Sequence, residues 1–173
     1  MVNLTAQQSA LRARNELWAT FGVMGIVSMA WVPRIPEIRD ALHLSNGQFG
    51  ILLMGSTFGS LSGAQLAGRL IHTHGSQAIS SVAVTIMPLG LIGIGYSKTA
   101  TALFISLFVM GFGYSSLDIS VNTQAIAVEK LLGRRWMSSF HALWSTGAFV
   151  TTVLGGSIAR FTTPHFNLIW MGL

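Results

Sequence analysis

The stretch "ALFISLFVMGFGYSSLDISVNTQAIA", Ala102 to Ala127, decides how the chain is read. It holds a single charged residue, Asp118, which is also the only charge between Lys98 and Glu129. A helix needs roughly 17–25 mostly apolar residues to cross a hydrocarbon core of about 30 Å, and this stretch is long enough. A charge at the centre of such a helix costs ~2.5–3.5 kcal/mol on insertion scales. Either the stretch lies outside a membrane, or Asp118 has a use that offsets that cost.

The rest of the chain supports the membrane. Charged residues make up 9% of the 173 residues and hydrophobic ones 51%, against about 25% charged in ordinary soluble domains. Mean hydropathy is +0.59, and glycine, which lets membrane helices approach closely, occurs 19 times. Charge-free windows recur at 17–33, 41–68, 70–97, 99–117, 136–159 and 161–173. A soluble domain needs a charged surface, and ten basic plus five acidic residues cannot supply one.

The expected fold is therefore all-α, a polytopic transmembrane helix bundle forming one domain over 1–173. Helices are predicted at about 16–33, 46–71, 77–97, 101–128 and 137–158, with a sixth starting at 166–173. A polar tail, 1–14, precedes them. Pro36 suits the first turn of a short interfacial helix. Ser45 and Gln48 have capping-box spacing, with Leu44 and Phe49 at the staple positions. Pro88 is expected to bend the third helix. The sixth segment has no room to span, so the chain is expected to be the first part of a longer protein. Arg12, Arg14 and "SMA" (Ser28 to Ala30) imitate a secretory signal, but further hydrophobic segments follow, which favours an uncleaved first helix.

Several function classes fall away. No cysteine is present, so disulfides, thiolate metal sites and a cysteine nucleophile are excluded. The net charge of +5 is scattered without a basic stripe, which speaks against nucleic acid and for loops facing anionic lipid. "GFGYSS" at Gly111 imitates a dinucleotide-binding turn but lacks the strand it requires. "GSLSG" has its serines in the wrong places for a hydrolase elbow. His43, His72, His74 and His165 fall in loops or interfaces, and only His141 enters a helix, so no facing pair exists for a haem or a metal. No cofactor is expected, and no nucleophile–base pair suggests an enzyme.

Two patterns remain. Gly55, Gly59 and Gly63, each four apart, make a smooth groove on one helix face. It can serve fixed intramolecular packing or a sliding interface. On the helix that opened the reading, Asp118 shares a face with Asn122 one turn on and with Ser115 one turn back. An acid there can pair with a base on another helix or form a proton or substrate site. No Lys or Arg lies deep in another helix, which favours the second reading.

Longer motifs carry a resemblance. "SMAWVPRIPEIRDALHLS" (Ser28 to Ser45), "DISVN" (Asp118 to Asn122) and "AVEKLLGRRWMSSFHALWSTGA" (Ala127 to Ala148) resemble the N-terminal half of major facilitator superfamily transporters. The likeness is to the inner-membrane branch similar to the fucose permeases, and it covers nearly the whole chain. It implies transport of a small solute such as a sugar, coupled to a proton, across a bacterial inner membrane, together with a missing C-terminal half. Asp118 would bind the proton and Asn122 the substrate or the acid, while His141 and Trp144 would contribute polar and stacking contacts. The superfamily's charged loop between helices 2 and 3 corresponds to "GRLIHTHGSQA". There Gly68 and Gly75 persist, but His72 stands at an acid position, so the usual charged latch of that gating loop is absent. No acid occupies 17–33 either, which removes the two-carboxylate scheme. The alternative reading is a membrane fragment that only associates through its glycine face. On either view residues 1–173 alone are expected to transport nothing.

Orientation follows from Lys and Arg in short loops. With the N-terminus cytoplasmic, inner segments hold Arg12, Arg14, Arg69, Lys130, Arg134 and Arg135, and outer segments hold Arg34, Arg39, Lys98 and Arg160. An impermeant thiol reagent applied to intact cells should then label Asn46→Cys and leave Gly133→Cys untouched. The reverse pattern would overturn the orientation.

Overall fold

The computed structural model of the chain describes residues 4–173. The elements are α1 (Leu4–Met29), a 3-10 turn (Val32–Arg34), α2 (Ile35–Ala41), α3 (Asn46–Tyr96), α4 (Ala100–Leu132), α5 (Met137–Ile158) and α6 (Pro164–Gly172). The described residues contain no strand. Gln7–Ala41, Asn46–Tyr96 and Ala100–Leu132 are each long and apolar enough to cross a membrane. The first helix reaches back to Leu4, into the stretch expected to be a polar tail, and ends at Met29 before the predicted stop at Pro33. The short interfacial helix after it is α2.

The segments 46–71 and 77–97 join in one element, α3, of 51 residues. At ~1.5 Å per residue a straight helix of that length would be about 76 Å long, more than twice a hydrocarbon core of ~30 Å. Its one non-helical residue is Gly75, with φ 80° and ψ 155°, a backbone open to glycine and strained for other residues. Packing against α4 shows what happens there. Gly55, Gly59 and Gly63 lie on Phe104, Phe108 and Phe112, both series rising together, so the first arm runs parallel to α4. Gly90 meets Met110 and Gly113 meets Met87, so the second arm runs against α4. The two arms are therefore antiparallel, and α3 is a helical hairpin turned at Gly75. Pro88 lies within the second arm without interrupting its helical dihedrals.

Termini are set by local chemistry. The Ser45 hydroxyl accepts from the Gln48 amide at 3.2 Å and the Gln48 side chain accepts from the Ser45 amide at 2.9 Å, completing a capping box. Thr99 caps α4 through the Ala102 amide at 3.1 Å. Gly133, with φ 62°, closes the end of α4. Glu129 then reaches forward from α4 and accepts from the amides of Trp136 and Met137, the latter at 2.7 Å, which satisfies the start of α5.

The packing repeats one device. α1 runs parallel to α5, with Gly22 and Gly25 against Leu143 and Trp144, and Gly147 against Gly22 and Ile26. Hydrogen bonds between helices add to the α3–α4 seam. Ser60 donates to the Gly111 carbonyl at 3.3 Å, and Ser116 to the Gly63 carbonyl at 3.2 Å. At the end of the α1–α5 seam near residue 14, the Arg14 guanidinium sits 4.7 Å from both the Trp18 and the Trp136 ring centroids. α6 packs antiparallel on the second arm of α3, with Gly95 near His165 and Leu168, and Gly172 near Ile92 and Pro88. Ile51, Leu61, Leu89, Ile105 and Phe149 remain exposed on the outside, as expected where the solvent is lipid.

The other end of the α1–α5 pair is closed by Arg34, which is 0% exposed. Its Nη1 donates to Glu37 at 3.0 Å and to the Thr162 carbonyl at 2.9 Å. Nη2 donates to the Thr162 hydroxyl at 2.5 Å, and Nε to the Asn167 side-chain oxygen at 3.4 Å. The elbow after α1 is thus tied to the α5–α6 turn by one guanidinium whose five donors suit such a cluster.

Two stability predictions follow from these contacts. A Cβ at Gly59 would fall on the Phe108 carbonyl and 2.9 Å from the Phe112 amide nitrogen, whereas one at Gly50 meets open space. Gly59→Ala should lower unfolding stability in detergent by ~1–3 kcal/mol, and Gly50→Ala should not lower it; equal losses would refute the close approach. Arg34→Ala leaves the buried Asn167 side chain and the part-buried Ala159 and Thr162 acceptors unmatched and should cost ~1–3 kcal/mol in the same assay. Arg34→Lys should recover only part of that loss, because it cannot reproduce the forked contacts.

Candidate functional site

The face of α4 that looks toward α5 carries Tyr114, Asp118 and Asn122, four residues apart and so stacked one turn above another. Asp118 lies near the middle of the helix and is half-buried. The Asn122 side-chain amide donates to the Asp118 carboxylate at 3.0 Å and to its backbone carbonyl at 2.8 Å. That bond fixes the carboxylate rotamer and leaves its second oxygen for another partner. Asp118 forms no ion pair among the described residues. Ser115, predicted on the same face, makes no side-chain hydrogen bond among them.

α5 supplies the opposing groups. Because α5 runs against α4, Trp144 comes level with Tyr114 and His141 with Asp118. The His141 imidazole and the Tyr114 hydroxyl are both within electrostatic reach of the Asp118 carboxylate. His141 also packs edge-on against Phe21 of α1, with centroids 5.3 Å apart at 71°. Its side is exposed, so it faces open space rather than the core. The Trp144 indole nitrogen is buried within electrostatic reach of the Tyr114 hydroxyl.

Next to this cluster lies a cavity of about 280 Å³ where α1, the first arm of α3, α4 and α5 converge. Ser28, Trp31, Ser56, Ser60, Tyr114 and Trp144 are among its lining residues. Hydroxyls and a phenol can exchange hydrogen bonds with a polyhydroxylated solute, and the indole faces offer a flat apolar surface. Asp118, Asn122, His141 and Trp144 are therefore brought near one another by two helices, and of the four Trp144 lines the cavity, together with Tyr114.

The remaining predicted residues lie elsewhere. Gly55, Gly59 and Gly63 form the seam between the first arm of α3 and α4. Gly68, His72 and Gly75 lie at or near the α3 turn, where His72 and Gly75 are exposed. No ion pair involves that turn among the described residues. Sequence reasoning missed Tyr114, which a four-residue step back from Asp118 would have found. It also placed Arg34 in an exposed loop, whereas the guanidinium is buried. Local sequence offers only Glu37, three residues on; the other partners, Ala159, Thr162 and Asn167, lie more than a hundred residues away.

Comparison with known proteins extends the picture. No family model matches the chain. The chain is 36% identical over 149 residues to an uncharacterised transporter of Sinorhizobium fredii, covering 86% of this chain and 39% of the relative. It is 32% identical over 153 residues to an uncharacterised MFS-type transporter of Yersinia pestis, covering 88% of this chain and 37% of the relative. It is also 22% identical over 138 residues to sodium-dependent glucose transporter 1 of Homo sapiens, covering 80% of this chain and 27% of that protein. The chain thus spans well under half the length of the curated relatives it matches. An all-α fold of membrane-length helices is thus joined to similarity, over most of the chain, with relatives named as transporters, one of them as an MFS-type transporter.

Proposed function

We propose that this chain forms one wall of a solute pathway in a proton-coupled transporter of a small, hydroxyl-bearing solute such as a sugar. The observation that carries the reading is the Asp118 carboxylate, placed mid-helix, held by Asn122 and facing His141 and Tyr114, with no ion-pair partner among the described residues. A permanently charged acid in that position has little to offset its cost. An acid that takes up and releases a proton as its surroundings open and close does.

The roles divide by chemistry. Asp118 carries the proton. Asn122, as donor and acceptor, can bond either protonation state of the acid or a solute hydroxyl. Trp144 and Tyr114 supply a flat face and polar tips for the solute in the adjoining cavity. His141 biases the charge on Asp118. The α3 turn, with Gly68, His72 and Gly75, governs the inner end by backbone geometry and not by a charged latch. The second wall is supplied by a C-terminal half, around which this one rocks, and residues 1–173 by themselves transport nothing. The membrane is a bacterial inner membrane with the N-terminus cytoplasmic.

A second reading, sodium coupling, is favoured by one observation: a relative of this chain is named as a sodium-dependent glucose transporter. A further alternative is a membrane protein that associates through its helices without transport.

The test uses a whole transporter carrying this half. Asp118→Asn should abolish accumulation of solute driven by a pH gradient while leaving solute exchange at least partly intact, since exchange needs no net proton movement. Accumulation equal to the parent's would overturn the proton role. Loss of both activities together with loss of folded protein would make Asp118 structural. Accumulation that follows an imposed sodium gradient and ignores the pH gradient would transfer the role to sodium.

A further inference from the structure

The α1–α5 seam ends, opposite the Arg34 joint, in a gathering of positive charge on one indole. The Arg14 guanidinium carbon lies 4.7 Å from the Trp136 ring centroid, and that of Arg134, just beyond α4, lies 4.6 Å from the same centroid. The two cations are therefore within about one Debye length of each other, ~8–10 Å at ordinary salt, and repel. The indole attracts each of them. The platform beneath them is built from several elements. Arg14 packs at 4.7 Å on Trp18 as well. The Trp18 ring meets Trp136 edge-on, with centroids 5.6 Å apart, and the Trp18 indole N–H donates to the Ser139 hydroxyl at 3.1 Å. α1, α5 and the turn before α5 thus converge on this point.

No acid neutralises the pair. Neither arginine forms an ion pair among the described residues. Glu129, the one acid after Asp118 in the sequence, is turned to the amides of Trp136 and Met137. Glu16 follows Arg14 by two residues, about 200° around the helix, and lines a cavity on the side of α1 that faces the second arm of α3. Arg14 donates from Nε and Nη2 to the Asn15 side-chain oxygen at 3.2 and 2.9 Å, which leaves Nη1. Arg134 is exposed and makes no side-chain hydrogen bond among the described residues. Arg12, Lys130 and Arg135, all exposed, raise the positive potential at the same end.

The cluster lies at the edge of the hydrocarbon layer. α5 begins at Met137, directly after Trp136, and its 22 residues rise ~33 Å at ~1.5 Å per residue, close to a hydrocarbon core of ~30 Å. Trp136 therefore stands at one boundary of that layer and the Arg34 joint at the other. Lipid headgroups occupy this level, and tryptophan is enriched there. Leu131, 53% exposed on the last turn of α4, offers apolar surface nearby. Guanidinium donors match phosphate oxygens in pairs. We propose that Arg14 and Arg134, held against Trp136, seat the phosphate of an anionic phospholipid such as phosphatidylglycerol. The phosphate takes the place of the missing acid and ties α1 to the α4–α5 turn. The seat stands apart from the proposed solute site, and its occupancy is measured without transport.

The experiment offers the purified chain, in non-ionic detergent, equal amounts of phosphatidylglycerol and phosphatidylcholine and counts retained lipid by native mass spectrometry. Phosphatidylcholine carries a phosphate whose charge its own choline balances, so phosphatidylglycerol should be retained at least several-fold in preference. Arg14→Gln and Arg134→Gln should each reduce that preference several-fold. Arg69→Gln, which removes the same charge from an exposed position at the same end of the bundle, should leave it unchanged. Arg134 is exposed, so its replacement tests the seat even where Arg14→Gln disturbs the α1–α5 seam. In a second arm, inorganic phosphate at millimolar concentration should not displace the lipid. Equal retention of the two lipids, unchanged preference with Arg134→Gln, or an equal loss with Arg69→Gln would overturn the seat. Displacement by inorganic phosphate would overturn the assignment to a lipid and show a site for a free anion.

Discussion

The molecule depends on backbones that touch. Lipid tails are as apolar as leucine, so membrane helices gain little by hiding apolar surface from them. They hold together through close contact and through hydrogen bonds made possible by it. In this chain the contact is made twice. The first arm of α3 meets α4 through Gly55, Gly59 and Gly63, and α1 meets α5 through Gly22, Gly25 and Gly147. Both pairs run parallel. Ser60 and Ser116 reach across the first seam to glycine carbonyls on the other helix, which larger residues would hold out of range. The placement of Tyr114 and Asp118 on one side, and of Trp144 and His141 on the other, follows from these seams. A methyl group at each contact would push α4 off the first arm of α3 and α5 off α1, and so shift the two sides of the polar cluster relative to each other.

The polar groups at membrane depth are satisfied to different degrees. Ser116 and Ser120 are buried and bonded to backbone carbonyls. Asp118 is held from one side by Asn122 alone. The indole nitrogen of Trp144 is buried within electrostatic reach of the Tyr114 hydroxyl. Buried polar groups in a protein interior are almost always paired, and the half-buried Asp118 keeps one carboxylate oxygen without a hydrogen bond among the described residues. Around Arg34, by contrast, every arm of the guanidinium is engaged, which is the pattern of a fixed joint.

Much of this was legible in the sequence because it is local. Hydropathy located the membrane segments, four-residue glycine spacing marked a helix face, and the Ser45–Gln48 pair announced the start of α3. Asp118 stood out through its cost alone. What was not legible depends on distant residues or on single dihedrals. Nothing in "HTHGSQ" distinguishes a loop of several residues from a turn made by Gly75 within an otherwise continuous helix. Burial of Arg34 requires Thr162 and Asn167, which local composition cannot bring together. The start of α1 was misplaced because its first turns are polar, and a polar helix looks like a tail when only hydropathy is read. At the site, the pairing of α4 with α5 could not be read from spacing, so Tyr114 went unnoticed although it shares the face of Asp118.

The Arg34 joint has a consequence for the order of assembly during synthesis. Arg34 leaves the ribosome early, while Ala159, Thr162 and Asn167, which complete its shell, emerge only after more than a hundred further residues. At roughly 5–20 residues per second that delay lasts on the order of ten seconds. Through this interval Glu37, three residues on, is the guanidinium's only side-chain partner already made. The elbow after α1 therefore lacks these contacts until α5 and α6 have been made. The joint is thus completed only when α5 and α6 are both in place.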